Sequence, residues 1–144
     1  MKSLAKKTKS KTIYEAYWQE LYLLTENWKS DLLFYQEDLY FSHNLINKYN
    51  QWISKKNIKN EFQEIEYSIF ELIRNCNQLI DKTNHHLSKI SNNISTPYLN
   101  DSYGFRTIHD QMEIEIEEFI KMYRASRLKV FSMSDEVIER KEFA

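Results

Sequence analysis

Two histidines, one on each of two predicted neighbouring helices, are the residues best placed to do chemistry. His86 and His109 lie about equally far before and after Pro97, the only proline. An antiparallel hairpin turning near residue 97 would therefore bring them to one height. The same count across a turn near residue 57 places Asp31 at that height, and Glu113 lies one helical turn beyond His109. Imidazole and carboxylate groups from different helices can bind zinc or iron inside helical bundles.

Ordinary packing is the interpretation that the sequence favours for these four residues. On helical wheels His86, His109 and Asp31 fall at the rim of the apolar faces, where side chains commonly pack their stems and leave polar tips in water. No HExxH or CxxC pattern accompanies them, although both patterns are typical of metal proteins. A metal-binding or redox bundle with a His86/His109 site is therefore the alternative prediction, with zinc or iron as its cofactor.

Other catalytic arrangements have little support in the sequence. The single cysteine, Cys76, falls on a predicted core face, where a buried thiol is inert. The single glycine, Gly104, leaves no glycine-rich loop for phosphate, and no serine lies in a nucleophile elbow. We therefore expect a protein that is not an enzyme and that carries no cofactor.

The elements that position these residues are predicted from apolar residues recurring at alternating intervals of three and four. Such spacing is typical of helices that bury one face. The series run from Trp18 to Ile53 and from Phe62 to Ile90, and a third begins Phe105, Ile108, Met112. We expect six members to be nearly fully buried: Leu32, Leu39, Ile69, Leu72, Ile116 and Phe119.

These series predict an all-α fold, an antiparallel up-down-up bundle of three long helices at about residues 13–54, 59–92 and 102–132. One glycine and one proline in 144 residues favour long elements and few turns. Ser95 or Thr96 before Pro97 resembles a helix start, and Asp101 or Ser102 is an equally good cap for the third helix. The alternative is a four-helix bundle, in which helix 1 is broken or residues 134–142 form a short separate helix.

The N-terminal segment is strongly basic although the whole chain has a net charge of −1. We expect residues 1–12 to form a flexible tail and residues 13–140 to form a single domain. The tail could contact nucleic acid or an anionic surface, but a disordered, solubilising role is favoured. No apolar stretch is long enough to span a membrane, and one cysteine suits a reducing compartment, so we expect a cytoplasmic protein. The lysines of the tail are Lys2, Lys6, Lys7, Lys9 and Lys11.

A second apolar row on helix 1 is the feature that most directly predicts a function. Its members fall within about 40° of one another on a helical wheel, roughly opposite the main apolar face. An exposed apolar row indicates an interaction surface. We therefore predict a helical interaction or scaffold module that forms a homodimer or binds a protein partner through helix 1. Cover by the chain's own C-terminus, or a break in helix 1, is the alternative. The α1 row consists of Leu23, Phe34, Phe41, Leu45 and Trp52.

Overall fold

The computed structural model describes the backbone of residues 2–52, 56–95 and 102–143, and the side chains of residues 17–52, 59–95 and 104–135. Three helices account for nearly all of this backbone. They are α1 (Lys2–Asn50), α2 (Lys56–Ser95) and α3 (Ser102–Phe143). The described residues contain no strand, so the predicted all-α class and the count of three long helices are confirmed.

Side-chain contacts show that α1 and α2 run antiparallel. Gln36 Nε2 donates a hydrogen bond to Asn77 Oδ1 at 2.7 Å. About two turns further along α1, His43 Nε2 lies 3.8 Å from Glu66 Oε1. The residue numbers therefore rise along α1 as they fall along α2.

The contacts between α2 and α3 follow the same rule. His86 Nε2 lies 3.0 Å from His109 Nδ1, and Lys82 Nζ lies 3.2 Å from Glu115 Oε2. These two helices are therefore antiparallel as well, and α3 runs parallel to α1. The three helices run up, down and up, as the spacing of the apolar residues predicts.

The ends of the helices differ from the expected ones. Helix α1 is continuous from Lys2 rather than from about residue 13, and it ends at Asn50, where Trp52 N donates to Tyr49 O at 3.0 Å. Helix α3 continues to Phe143 without a break. The four-helix alternative is therefore wrong for both of the reasons considered, since helix 1 is unbroken and residues 134–142 belong to α3.

Two predictions for the connecting and terminal segments stay open. Ser95 is the last residue of α2, whereas Thr96 and Pro97 lie outside the described residues. The lysine side chains of residues 2–11 also lie outside the described side chains. The division into a flexible tail and a domain, and any contact of this tail with an anionic partner, remain predictions.

The core follows the predicted series closely. All six residues expected to be nearly fully buried are buried, and they belong to one main apolar cluster that joins the three helices. A second cluster of Trp18, Leu21, Ile90 and Phe105 lies beyond it. One position is wrong: Ile108 is 48% exposed, and His109 is buried in its place. The series on α3 therefore steps from Phe105 to His109 and then to Met112.

Two buried threonines on the core faces bond to backbone carbonyls of their own helices. Thr25 Oγ1 donates to Leu21 O and Thr83 Oγ1 donates to Leu79 O, each at 2.7 Å. Such bonds remove the penalty of burying a hydroxyl without a partner. Between the helices, Cys76 Sγ donates to Leu32 O at 3.2 Å. The predicted burial of this thiol is confirmed.

None of the described helices combines the length and the apolar character needed to cross a membrane.

Candidate functional site

The two histidines meet inside the bundle, at the height predicted from the turns. His86 on α2 is 2% exposed and His109 on α3 is 3% exposed. Their facing nitrogens, His86 Nε2 and His109 Nδ1, are 3.0 Å apart. One of these nitrogens carries a proton and donates a hydrogen bond to the other, so each of the two facing nitrogens has a hydrogen-bond partner. The expectation that these residues lie at the rim is wrong, because both rings are in the core.

Aromatic rings enclose the histidine pair from both sides. Phe105 stacks on His86 with ring centroids 4.5 Å apart and an interplanar angle of 7°. Trp28 of α1 stacks on His109 with centroids 4.5 Å apart and an angle of 25°. The two imidazole centroids are 5.2 Å apart with an interplanar angle of 26°, so these two rings meet edge to edge through their hydrogen bond. A continuous chain of four rings from all three helices therefore joins the two core clusters.

The surroundings of the pair favour the neutral imidazoles. Burial is the main cause that lowers the pKa of His86 to about 4, and the neighbouring His109, Lys89 and His85 contribute to this lowering. Burial also lowers the pKa of His109; Arg106 adds to this effect and Asp110 opposes it. Near pH 7 the pair is uncharged, which suits an aromatic environment where an isolated charge would be costly.

The proposed metal ligands do not assemble around this pair. Asp31 and Glu113 are exposed on α1 and α3. Across the residues that the structure describes, no group of three or more His, Cys, Asp or Glu side chains could hold a metal ion. The structure thus brings together the two histidines of the predicted set and leaves its two carboxylates at the surface.

The α1 row is largely open to solvent. Leu23 is 65% exposed, Phe34 is 63%, Phe41 is 60% and Trp52 is 46%. Leu45 differs, because it is half-buried and packs against the main core cluster. Four of the five members therefore present large apolar surfaces to water, and the fifth connects the row to the core.

Helix α3 extends this apolar surface, which the sequence alone did not indicate. Phe131 and Leu128 are exposed on α3. A cavity of about 210 Å³ between α1 and α3 is lined by Phe41, Leu45 and Phe131 among others. The part of the row formed by Phe41 and Leu45 therefore lies beside α3. Leu128 and Phe131 lie outside the main apolar series of α3 and are three residues apart. This spacing is the feature of the sequence that could have predicted an exposed apolar surface on α3.

A polar cluster holds α1 and α3 together beside this cavity. Arg127 Nη1 donates to both carboxylate oxygens of Asp38 at 2.6 Å, and the Tyr123 hydroxyl donates to Asp38 as well. Burial and the Asp38 carboxylate raise the pKa of Tyr123 well above its usual range. The Arg127 guanidinium also lies 4.9 Å from the Phe131 ring centroid. The wall of the cavity is therefore fixed by a carboxylate that joins the two helices.

Comparisons of the chain with protein-family models, curated proteins and solved structures gave no match.

Proposed function

We propose that this chain is a non-catalytic helical interaction module that forms a homodimer through α1. The observation that carries the proposal is the α1 row, four of whose apolar side chains are about half exposed or more. Several large apolar side chains exposed along one face of a helix are typical of a protein–protein interface. The adjoining Phe131 and the cavity between α1 and α3 broaden it beyond a single helix.

The energetics favour covering this surface. Fully burying a large apolar side chain stabilises a protein by roughly 1.5–3 kcal/mol. Burying the part of each of these side chains that is still exposed would contribute a fraction of that free energy. A second copy provides the same row, and twofold dimers are the commonest soluble oligomers because one patch serves both subunits. Phe41 lies in the middle of the row, where residues that dominate binding tend to cluster.

The buried histidines and the buried cysteine support a structural role rather than a catalytic one. His86 and His109 bond to each other inside the core. Burial raises the pKa of Cys76 to about 11, so near pH 7 its sulfur is a protonated thiol rather than a nucleophilic thiolate. These groups stabilise the bundle that presents the α1 row.

Light scattering coupled to gel filtration tests the proposal with a matched pair of variants. Phe41→Glu places a charge in the row and should reduce the mass from that of a dimer to that of a monomer, with the helical circular-dichroism spectrum retained. Tyr67→Glu makes the same kind of change at an exposed aromatic residue of α2 and should leave the dimer intact. A Phe41→Glu protein that keeps the mass of the wild type would contradict the proposal. So would a wild type that is monomeric and binds a different protein through the row.

A further inference from the structure

The apolar side chains in the C-terminal half of the α1 row are arranged symmetrically about position 43. Phe41 and Leu45 lie two residues on either side of it, and Phe34 and Trp52 lie nine residues on either side. Trp52 follows the end of α1, but its backbone bond to Tyr49 O keeps it in the last turn. When two such helices pack antiparallel with position 43 at the centre, each of these side chains lies opposite its symmetric counterpart.

Two charged residues share one edge of this row. Glu37 lies six residues before position 43 and Lys48 lies five after it, and on a helical wheel they are about 20° apart. Both are exposed. Lys48 Nζ lies 5.8 Å from the Trp52 ring centroid, and within the described part of the chain Glu37 has no ion-pair partner.

The shared edge selects between the two possible directions of a helix pair. In an antiparallel pair the twofold axis is perpendicular to the helices and lies in the interface, so residues on the same edge meet. In a parallel pair the axis runs along the helices, and each edge meets the opposite edge. Glu37 and Lys48 can therefore pair across an antiparallel interface, once on each side of the axis, and charge pairs of this kind set the orientation of helix partners.

We propose that two copies of the chain pack α1 antiparallel about a twofold axis at position 43. Phe41 then lies against the partner's Leu45, Phe34 lies against the partner's Trp52, and Glu37 pairs with the partner's Lys48. The inference rests on the proposed homodimer and adds its direction and register.

The overlap between residues 34 and 52 is about 27 Å long, and the cavity lined by Phe41, Leu45 and Phe131 lies at its centre. That recess can receive an apolar side chain from the second copy. Leu23 lies outside the overlap, because its counterpart would fall beyond the end of the second α1.

Charge reversal tests the pairing. Glu37→Lys and Lys48→Glu each replace two attractions per dimer by two repulsions, so each should raise the dimer dissociation constant about tenfold at low salt. The double variant restores opposite charges and should return the constant to within about threefold of the wild type. Glu64→Lys, the same change at an exposed residue of α2, should have no such effect. Single variants that dimerise like the wild type, or a double variant as weak as the singles, would overturn the register.

Cysteine crosslinking tests the direction independently. Asn44 is exposed next to the proposed axis, so the two Asn44→Cys positions lie about 3 Å apart along the helices, whereas the two Ser30→Cys positions lie about 39 Å apart. The native Cys76 is fully buried. A short bismaleimide should crosslink the Asn44→Cys dimer and not the Ser30→Cys dimer.

The outcomes separate the register from the homodimer itself. Crosslinking at both positions indicates a parallel pair and overturns the inference. A protein that is dimeric by mass but crosslinks at neither position also overturns the inference, while the proposed function stands. A wild type that is monomeric overturns both.

Discussion

At the residue scale, the histidine pair shows what spacing can and cannot predict. Counting from the two turns placed His86 and His109 at one height, and the structure confirms this with a direct bond between their rings. The count could not determine how deeply they lie. Ile108 and His109 are only one step of about 100° apart on a helical wheel, so a modest rotation of α3 decides which of them faces the core. Stacking of Trp28 and Phe105 on the imidazoles decides which of these two residues enters the core.

The buried pair predicts a dependence of stability on pH. The pKa of His86 is lowered to about 4, whereas an unfolded histidine titrates near 6.5. Between these values the unfolded chain binds more protons, so stability is fully present above about pH 6.5 and is lost as the pH falls towards 4. Wild-type protein should lose about 2 kcal/mol more than His86→Gln between pH 7.5 and pH 5. Urea unfolding at both pH values measures this, and equal losses in the two proteins would contradict the assignment.

Metal binding gives a second prediction for the same residues. The facing nitrogens bond to each other, and no third ligand joins them among the described side chains. Zinc or ferrous iron should therefore leave the melting temperature of the chelator-treated protein unchanged. A rise that grows with metal concentration, as ligand binding to the folded state requires, and that disappears in His86→Gln would contradict this prediction and restore the metal-binding alternative.

At the element scale, the three helices were predictable because apolar spacing persists over many turns in each. The helix ends were less predictable, since they depend on local backbone bonds such as the one from Trp52 N to Tyr49 O. The contribution of α3 to the exposed apolar surface was missed for a related reason. Phe131 becomes part of that surface because α3 packs beside α1, where Arg127 bonds to Asp38.

A cavity in the core face of α2 should lower the stability of the protein. Leu72 is buried in the main cluster, and Leu72→Ala removes contacts that the surrounding helices can replace only in part. The free energy of unfolding should fall by roughly 2–5 kcal/mol, measured by urea denaturation followed by circular dichroism. A loss below about 1 kcal/mol would show that this face of α2 does not face the core.

The link between α1 and α3 predicts a second loss of stability. Asp38→Ala leaves the partly buried Arg127 guanidinium and the Tyr123 hydroxyl without their shared acceptor. The free energy of unfolding should fall by about 1.5–3 kcal/mol, the usual range for a hydrogen bond to a charged group. Asp31→Ala, at an exposed carboxylate of the same helix, is the matched control and should change it little. Equal effects of the two substitutions would show that the cluster does not join the helices.

At the scale of the whole molecule, the sequence indicated a surface but not its extent. The spacing of its residues identified the α1 row and predicted that they are exposed. Four of the five members are exposed in the folded chain. Leu45 departs from the expectation because it packs against the main core cluster, at the cavity between α1 and α3. No pattern within one helix contains that information, since it depends on the packing of two helices that are far apart in sequence.

The mass of the wild-type protein in solution decides whether a second copy covers the α1 row. Sedimentation equilibrium should be run from about one to one hundred micromolar, because dimers of modest affinity dissociate on dilution. We expect a mass approaching twice the 17.6 kDa of one chain at the upper concentrations, with a reversible decrease towards one chain at the lowest. A mass of 17.6 kDa throughout that range would contradict the proposal that a second copy covers the α1 row.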